Sequence, residues 1–260
     1  MSGLKVTFLG TGTSQGVPLI NCHCAVCSSD DPHNKRLRTS VTVTSGKTTI
    51  LVDTTPDMRQ QLLRNPVPTL DAVLFTHAHA DHIYGIDDLR RFNILQRTRI
   101  PIYGNRETLG RLGELFDYAF GSGKLNLGVP NLEAHEVHGK FRVGDLMIQP
   151  LRLLHGKQSI LGYRIADFAY CTDVSCIPKE SYKKLTGLKL LALDALREEA
   201  HPTHFSLEQA ISEAGTIGAT RTYFIHMSHE IDHERHSQYL PDGVSFAYDG
   251  LIVELNGSAT

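Results

Sequence analysis

The segment Phe75–Gly85, reading FTHAHADHIYG, constrains what this chain can fold into more than any other stretch. It places His77, His79, Asp81 and His82 directly after the apolar run Ala72–Thr76. Side chains alternate along an extended segment, so His77 and His79 fall on one side, and Asp81 and His82 follow at the bend. Three imidazoles and a carboxylate this close must stay solvated or find a cation to compensate them. If the strand before them is buried, distant parts of the chain have to close around its tip.

Candidate partners stand at the ends of other apolar runs. His155 ends LMIQPLRLLH, Asp173 ends AYCTD, and His226 ends RTYFIH. A lone histidine at such a place is usually an ordinary core residue. Three metal-ligand residues at three strand tips, added to the first cluster, point to a pocket where loops converge.

Apolar, β-branched runs predict strands at Lys5–Leu9, Ser40–Thr44, Thr49–Asp53, Ala72–Thr76, Ile100–Tyr103 and Leu146–Leu154. Further runs follow at Leu161–Ile165, Ala169–Thr172, Leu190–Leu193, Thr222–His226 and Leu251–Leu255. Apolar spacing of three and four residues predicts helices over Asp57–Arg64, Asp87–Gln96, Glu107–Ala119, Pro178–Leu185 and Ser206–Ile217. Ser206 with Gln209 three residues on is a capping-box pattern. The mixture predicts an α/β chain with two sheets and helices outside them, rather than one doubly wound sheet. No linker or repeat interrupts residues 1–260, so one domain is expected, with Gly121–Gly128 as a mobile loop or lid.

The 41% hydrophobic and 21% charged residues are ordinary for a water-soluble chain, and the net charge of -2 argues against a nucleic-acid partner. No apolar run approaches the roughly 20 residues a membrane helix needs. The start MSGLKVTFLG lacks the features of a signal peptide, so a cytoplasmic location with reduced cysteines is expected.

His-x-His-x-Asp-His followed by a His, an Asp and a His in that order resembles the signature of the metallo-β-lactamase superfamily, and the similarity runs from Val6 to Leu255. The resemblance implies a four-layer αββα sandwich with two metal ions between the sheets. It assigns His77, His79 and His155 to one ion, Asp81, His82 and His226 to the other, and Asp173 as the bridge. Asp53, closing the run TILVD, matches the superfamily's early aspartate, which would orient a ligand imidazole. His79 stands where an oxygen-reducing di-iron member would want glutamate, and Asp173 where many true β-lactamases place cysteine. Both departures point to a hydrolase with a carboxylate-bridged pair of ions, and zinc and manganese both suit such His/carboxylate sites.

Three of the five cysteines, Cys22, Cys24 and Cys27, crowd into the loop 21–28. His229 lies three residues past His226 and would complete a Cys₃His set, the closed tetrahedral site that structural zinc prefers. This arrangement resembles the cyclic-phosphate phosphodiesterase family of the bacterial carbon–phosphorus lyase pathway. Redox-sensing or idle thiols are the alternatives. Cys171 and Cys176 are expected to be small buried residues. Gly10, Gly12 and Gly16 miss the dinucleotide-loop spacing and read as a tight connection beside the pocket.

The function expected is hydrolysis of a small phosphate ester, ribose 1,2-cyclic phosphate or a 2′,3′-cyclic nucleotide, by a hydroxide bridging the two ions. Asp81 and His204 are the candidate catalytic residues, with His204 as general acid for the leaving alkoxide and Asp194 in support. Arg36 and Arg38 could reach a substrate phosphate or simply form a charged turn. The alternatives are an endonuclease resembling the tRNA 3′-end enzymes, a thioester or lactone hydrolase, and an inactive zinc-stabilised scaffold. Relatives of this type suggest a homodimer.

Overall fold

The apolar runs assemble into two seven-stranded sheets in the computed structural model, which describes residues 3–121 and 123–256. The first sheet orders Ile252–Leu255, Leu4–Gly10, Ser40–Ser45, Thr48–Val52, Ala72–Leu74, Ile100–Gly104 and Leu132–Glu136. The second orders Val244–Phe246, Arg221–Ile225, Leu190–Asp194, Phe168–Cys171, Gln158–Ile165, Leu146–His155 and Phe141–Val143. Alternation along the strands explains why these layers stack. Leu190 and Ala192 face the core between the sheets, and their neighbours Leu191 and Leu193 face a second core under the helices. With both faces covered, the central strands read as continuous apolar runs.

The inter-sheet core joins Val6, Phe8, Val43 and Ile50 to Ile148, Tyr163, Ile165 and Phe168. Helices Lys179–Leu185 and Leu207–Ile217 cover the outer face of the second sheet, and Met58–Arg64, Arg90–Gln96 and Arg106–Leu115 cover the first. The result is a four-layer αββα sandwich. Full burial of each large aliphatic chain contributes roughly 2 kcal/mol, so three such cores hold the sheets in fixed register. The helix Leu207–Ile217 carries the expected capping box: the Ser206 hydroxyl accepts from Gln209 N, and the Gln209 amide oxygen accepts from Ser206 N.

Three strands escape the sequence pattern: Leu132–Glu136, Phe141–Val143 and Val244–Phe246. Each is a sheet edge, where short and partly polar strands lose the apolar signature. Two expected helices are each split. Ile86–Leu89 and Asp117–Ala119 are 3₁₀ turns flanking the α-helices Arg90–Gln96 and Arg106–Leu115. Within the glycine-rich segment Gly121–Gly128, Ser122 lies outside the described residues. Arg99 donates to Gly123 O at 2.7 Å and Arg90 to Gly128 O at 2.8 Å.

The parallel strands place their carboxyl ends along one edge of the sandwich. The loop Thr11–Gly16 crosses that edge. Gly12 bridges both Arg38 and Met227, and Met227 N donates to Thr11 O at 3.0 Å. A Cβ on Gly10 would sit 2.0 Å from Arg38 O, so only glycine permits this crossing. The loop is the tight connection its spacing suggested.

Candidate metal centre

At the carboxyl edge the strand tips bring their polar residues into two overlapping sets. Ligand atoms of His77, His79, His155 and Asp173 lie within 4.8 Å of one another, and so do those of Asp81, His82, Asp173 and His226. Asp173 belongs to both. The first sheet contributes the segment after Ala72–Leu74; the second contributes the ends of Leu146–His155, Phe168–Cys171 and Arg221–Ile225. Asp53, Asp173 and His226 each follow a strand with φ of 61°, 54° and 61°. Such left-handed conformations are tolerated best by Asp, Asn and His, and they cluster where a strand must turn sharply at a functional site.

Hydrogen bonds fix which imidazole nitrogen faces inward. His155 Nδ1 donates to Thr203 O at 2.8 Å, leaving Nε2 as a lone-pair donor. The Thr76 hydroxyl donates to Asp53 Oδ2 at 2.8 Å and therefore accepts from His77 Nδ1 at 3.0 Å. His82 Nδ1 donates to Asp53 Oδ2 at 2.8 Å, the orienting contact expected of that aspartate.

In the first set His77 Nε2 and His79 Nδ1 lie 2.9 Å apart, within hydrogen-bond distance; in the second the inward atoms face one another without bonding. His82 Nε2 is 3.2 Å from Asp81 Oδ2 and 3.3 Å from Asp173 Oδ1, and His226 Nε2 is 3.3 Å from Asp173 Oδ2. Yet both atoms, and His226 Nδ1, are buried without a hydrogen-bond partner. Buried polar groups rarely go unpaired unless an ion or water belongs between them. Nitrogen and carboxylate donors aimed at a shared point suit a divalent cation.

Charge in the protein alone shows the same need. Burial opposes the charged form of His226, but the carboxylates of Asp173 and of Asp81, 3.7 Å from Nε2, raise its pKa to about 9. Burial likewise disfavours charged His82, and Asp81, Asp173 and Asp53 outweigh it and hold the imidazole well above its usual range. Burial pushes Asp81 up, while His82 and His226 hold it well below the carboxylate range. His77 is driven well below the histidine range by burial and by His82. Protons on His82 and His226 therefore balance the carboxylates when no cation does.

His204 stacks on His226 with ring centroids 4.8 Å apart. Asp194 Oδ2 accepts from His204 Nδ1 at 3.1 Å and from Phe205 N at 3.2 Å, and its Oδ1 lies 3.5 Å from His226 Nδ1. One carboxylate thus ties the candidate acid to a centre residue.

The cysteine loop comes to the same edge. Cys22 Sγ and Cys24 Sγ each lie 3.4 Å from His229 Nδ1, and Cys27 completes a set within 4.8 Å. The Cys27 backbone N–H, 3.4 Å from Cys24 Sγ, lowers that thiol to about 6 against the effect of its burial, with help from His229. Burial pushes Cys27 up to about 11.

Neither Arg36 nor Arg38 is available to a substrate. Arg36 is buried and donates to Ser228 O at 2.9 Å, Ile231 O at 2.8 Å and Asn34 Oδ1 at 2.9 Å, clamping the segment that carries His229. Arg38 pairs with Asp57 at 2.9 Å and holds Ser14 O. Cys171 is buried as expected, but Cys176 is exposed. Its backbone pairs with Leu154 across the strand end, which turns its side chain outward. Thr76 and Thr203 escaped the sequence reading; a hydroxyl relay and a backbone carbonyl leave no motif.

The sequence matches the beta-lactamase superfamily domain over residues 48–227. A solved diphosphatase of the PhnP family is 43% identical, with 98% of both chains covered and a TM-score of 0.91. The chain belongs to the PhnP family of the beta-lactamase superfamily. The superfamily fold implies binding of divalent metal, and the donor set above fits it. Zn²⁺-bound PqqB from Methylobacterium extorquens shares the fold, with 22% identity, 96% of this chain and 100% of that chain covered and a TM-score of 0.77. An octanoyltransferase of Porphyromonas gingivalis is 40% identical over 95% of this chain, which spans about half (51%) of that relative's length. No helix among the described residues is long and apolar enough to cross a membrane.

Proposed function

We propose that this PhnP-family chain is a metal-dependent, phosphodiesterase-type hydrolase of small substrates. In this reading His77, His79 and His155 hold one divalent ion, Asp81, His82 and His226 hold another, and Asp173 is shared. Cys22, Cys24, Cys27 and His229 hold a structural zinc. Zinc or manganese suits the paired site. Bound there, such ions acidify water and polarise phosphoryl oxygens.

The chain's own groups do the rest. Asp53 and Thr203 O keep His82 and His155 in the tautomer that presents Nε2 inward. Asp194 accepts from His204 Nδ1, so Nε2 is the atom that carries the second proton of the imidazolium and gives it to a leaving oxygen. The observation that carries the reading is the pair of unpaired nitrogens, His82 Nε2 and His226 Nε2, facing Asp81 and Asp173 beneath His204.

Two substrate classes follow. Small cyclic phosphates are the class the sequence pattern suggests, and compact diphosphates are the class named for the 43% identical relative. Acyl-ester hydrolysis is a weaker reading: an acyltransferase is among the relatives, but this chain spans only half of it. Turnover of bis(p-nitrophenyl) phosphate but of no thioester, with Zn²⁺ or Mn²⁺ loaded, is the expected result. With the alkoxide-leaving substrate 2′,3′-cyclic AMP, His204→Ala should cut turnover about 100-fold or more while both catalytic ions stay bound. Full activity in that variant would remove His204 as the acid; thioester turnover alone would overturn the phosphate reading.

A further inference from the structure

Beside the centre, on the far side of His204, lies a cavity of about 250 Å³ lined by Ser14, Gln15, Arg197, His201, His204 and Glu230 among others. His204 is common to the cavity and to the cluster of Asp194 and His226. A group held there would therefore sit on the side from which His204 protonates a departing oxygen.

The cavity is equipped for an anion. Arg197 is half-buried, and its donors are mostly unspent. One reaches Ala200 O at 3.2 Å, Glu230 is 3.7 Å away, too far for a hydrogen bond, and Nε is buried without a partner. A guanidinium has five N–H donors in a planar fork that matches phosphate oxygens. His201 adds a further donor to those of Arg197 that are not spent on Ala200 O. Its Nδ1 accepts from Thr203 N at 3.4 Å and lies 3.2 Å from the Thr203 hydroxyl, which leaves the proton on Nε2. Its ring is 5.2 Å from that of His204. Thr13, Ser14 and Gln15 supply neutral polar groups, and Glu230 beside Arg197 is the lone carboxylate lining the cavity among the described residues.

We infer that this cavity receives the leaving group and that the leaving group is itself a phosphate, so the preferred substrate is a compact diphosphate cleaved at its P–O–P link. The inference rests on the phosphodiesterase-type reading above and decides between its two substrate classes. In the reaction a water oxygen bonds to the attacked phosphorus. The bridging P–O bond breaks, and its electron pair stays on the departing phosphate, which Arg197 and His201 hold. One water is consumed, two phosphate monoesters form, and the water protons go to these products and solvent. A phosphate leaves as a far weaker base than an alkoxide and depends less on the proton from His204.

ADP-ribose and 2′,3′-cyclic AMP share adenosine and differ in the leaving group, so the ratio of their kcat/KM values reads the cavity directly. The metal-loaded enzyme should favour ADP-ribose about tenfold or more. Arg197→Gln should lower the ratio about tenfold. Gln15→Glu, on an exposed loop residue that puts no fold contact at risk, should lower it by adding negative charge at the rim. His204→Ala should raise the ratio, because it harms the alkoxide-leaving substrate more. Wild-type preference for the cyclic ester, or a ratio unmoved by both Arg197→Gln and Gln15→Glu, overturns the assignment even if bis(p-nitrophenyl) phosphate is cleaved. Failure to cleave any of the three substrates overturns the phosphodiesterase reading and the cavity assignment with it.

Discussion

The two ligand clusters are built in opposite ways. The cluster proposed to hold paired ions is buried apart from the exposed His79 and gathers strand tips from both sheets, spanning His77 to His226, so its geometry is a property of the whole sandwich. The cysteine cluster takes three of four groups from one short loop and is half-exposed, with only Cys27 buried. Their polar atoms differ accordingly. His82 Nε2 and His226 Nε2 of the first are left unpaired, whereas the second satisfies two of its sulfurs from backbone N–H groups, with Leu19 N 3.4 Å from Cys27 Sγ and Cys27 N 3.4 Å from Cys24 Sγ. A rigid scaffold can hold groups in a costly arrangement that only a cation relieves; a loop can hold only what its own backbone supports.

The sharpest way to break this contrast is to disable each cluster in turn. Asp173→Asn should lower kcat at least about 1,000-fold, roughly 4 kcal/mol of barrier, and deplete the paired ions by elemental analysis. Normal activity and metal content would show that the shared carboxylate is dispensable. Arg36→Met removes a buried guanidinium whose partners include Ser228 O and Ile231 O and leaves those carbonyls unpaired, so a loss of about 3 kcal/mol in denaturant unfolding is expected. The zinc of the cysteine cluster should be lost before the paired ions. Cys24→Ser should lose about one ion and roughly 2 kcal/mol, a fall in Tm of about 4–8 °C, with kcat changed less than tenfold. A larger loss of activity would mean that the loop also shapes the centre.

The smallest effect is also the most discriminating, because the clusters respond to pH with opposite sign in metal-free protein. His226 is raised from about 6.5 to about 9, so its contribution to stability is complete below pH 6.5 and is lost as pH rises through 9. Cys24 is lowered from about 9 to about 6, so its contribution is complete above pH 9 and is lost as pH falls through 6. Between pH 6.5 and 9 the two slopes oppose. In metal-free Cys24→Ser the fall of Tm across this window should therefore be steeper than in metal-free wild type. Parallel Tm curves for the two proteins would remove the thiolate from the balance.

Much of the first cluster was legible because its residues sit at strand tips, and strand tips are marked by the end of an apolar run. His77, His79, Asp81 and His82 needed only the alternation of an extended chain. The cysteine loop was legible from spacing, but its fourth group, His229, was reached only through its distance from His226. Three of the four edge strands were not legible, since an exposed edge needs no apolar run; Ile252–Leu255 was the exception. Nor was the fate of Arg36, whose partners are backbone carbonyls about 195 residues away in sequence, nor the cavity at Arg197 and His201, whose walls come from three separate segments.

What the sequence determined by itself was the kind of chemistry and the architecture that could carry it, because residue type and hydrophobic period are local properties. What only the tertiary structure decided was which nitrogen of each imidazole faces inward, which buried atoms are left without partners, and which arginine keeps its donors unspent. These depend on hydrogen bonds and burial between segments far apart in the chain, and no local pattern encodes them.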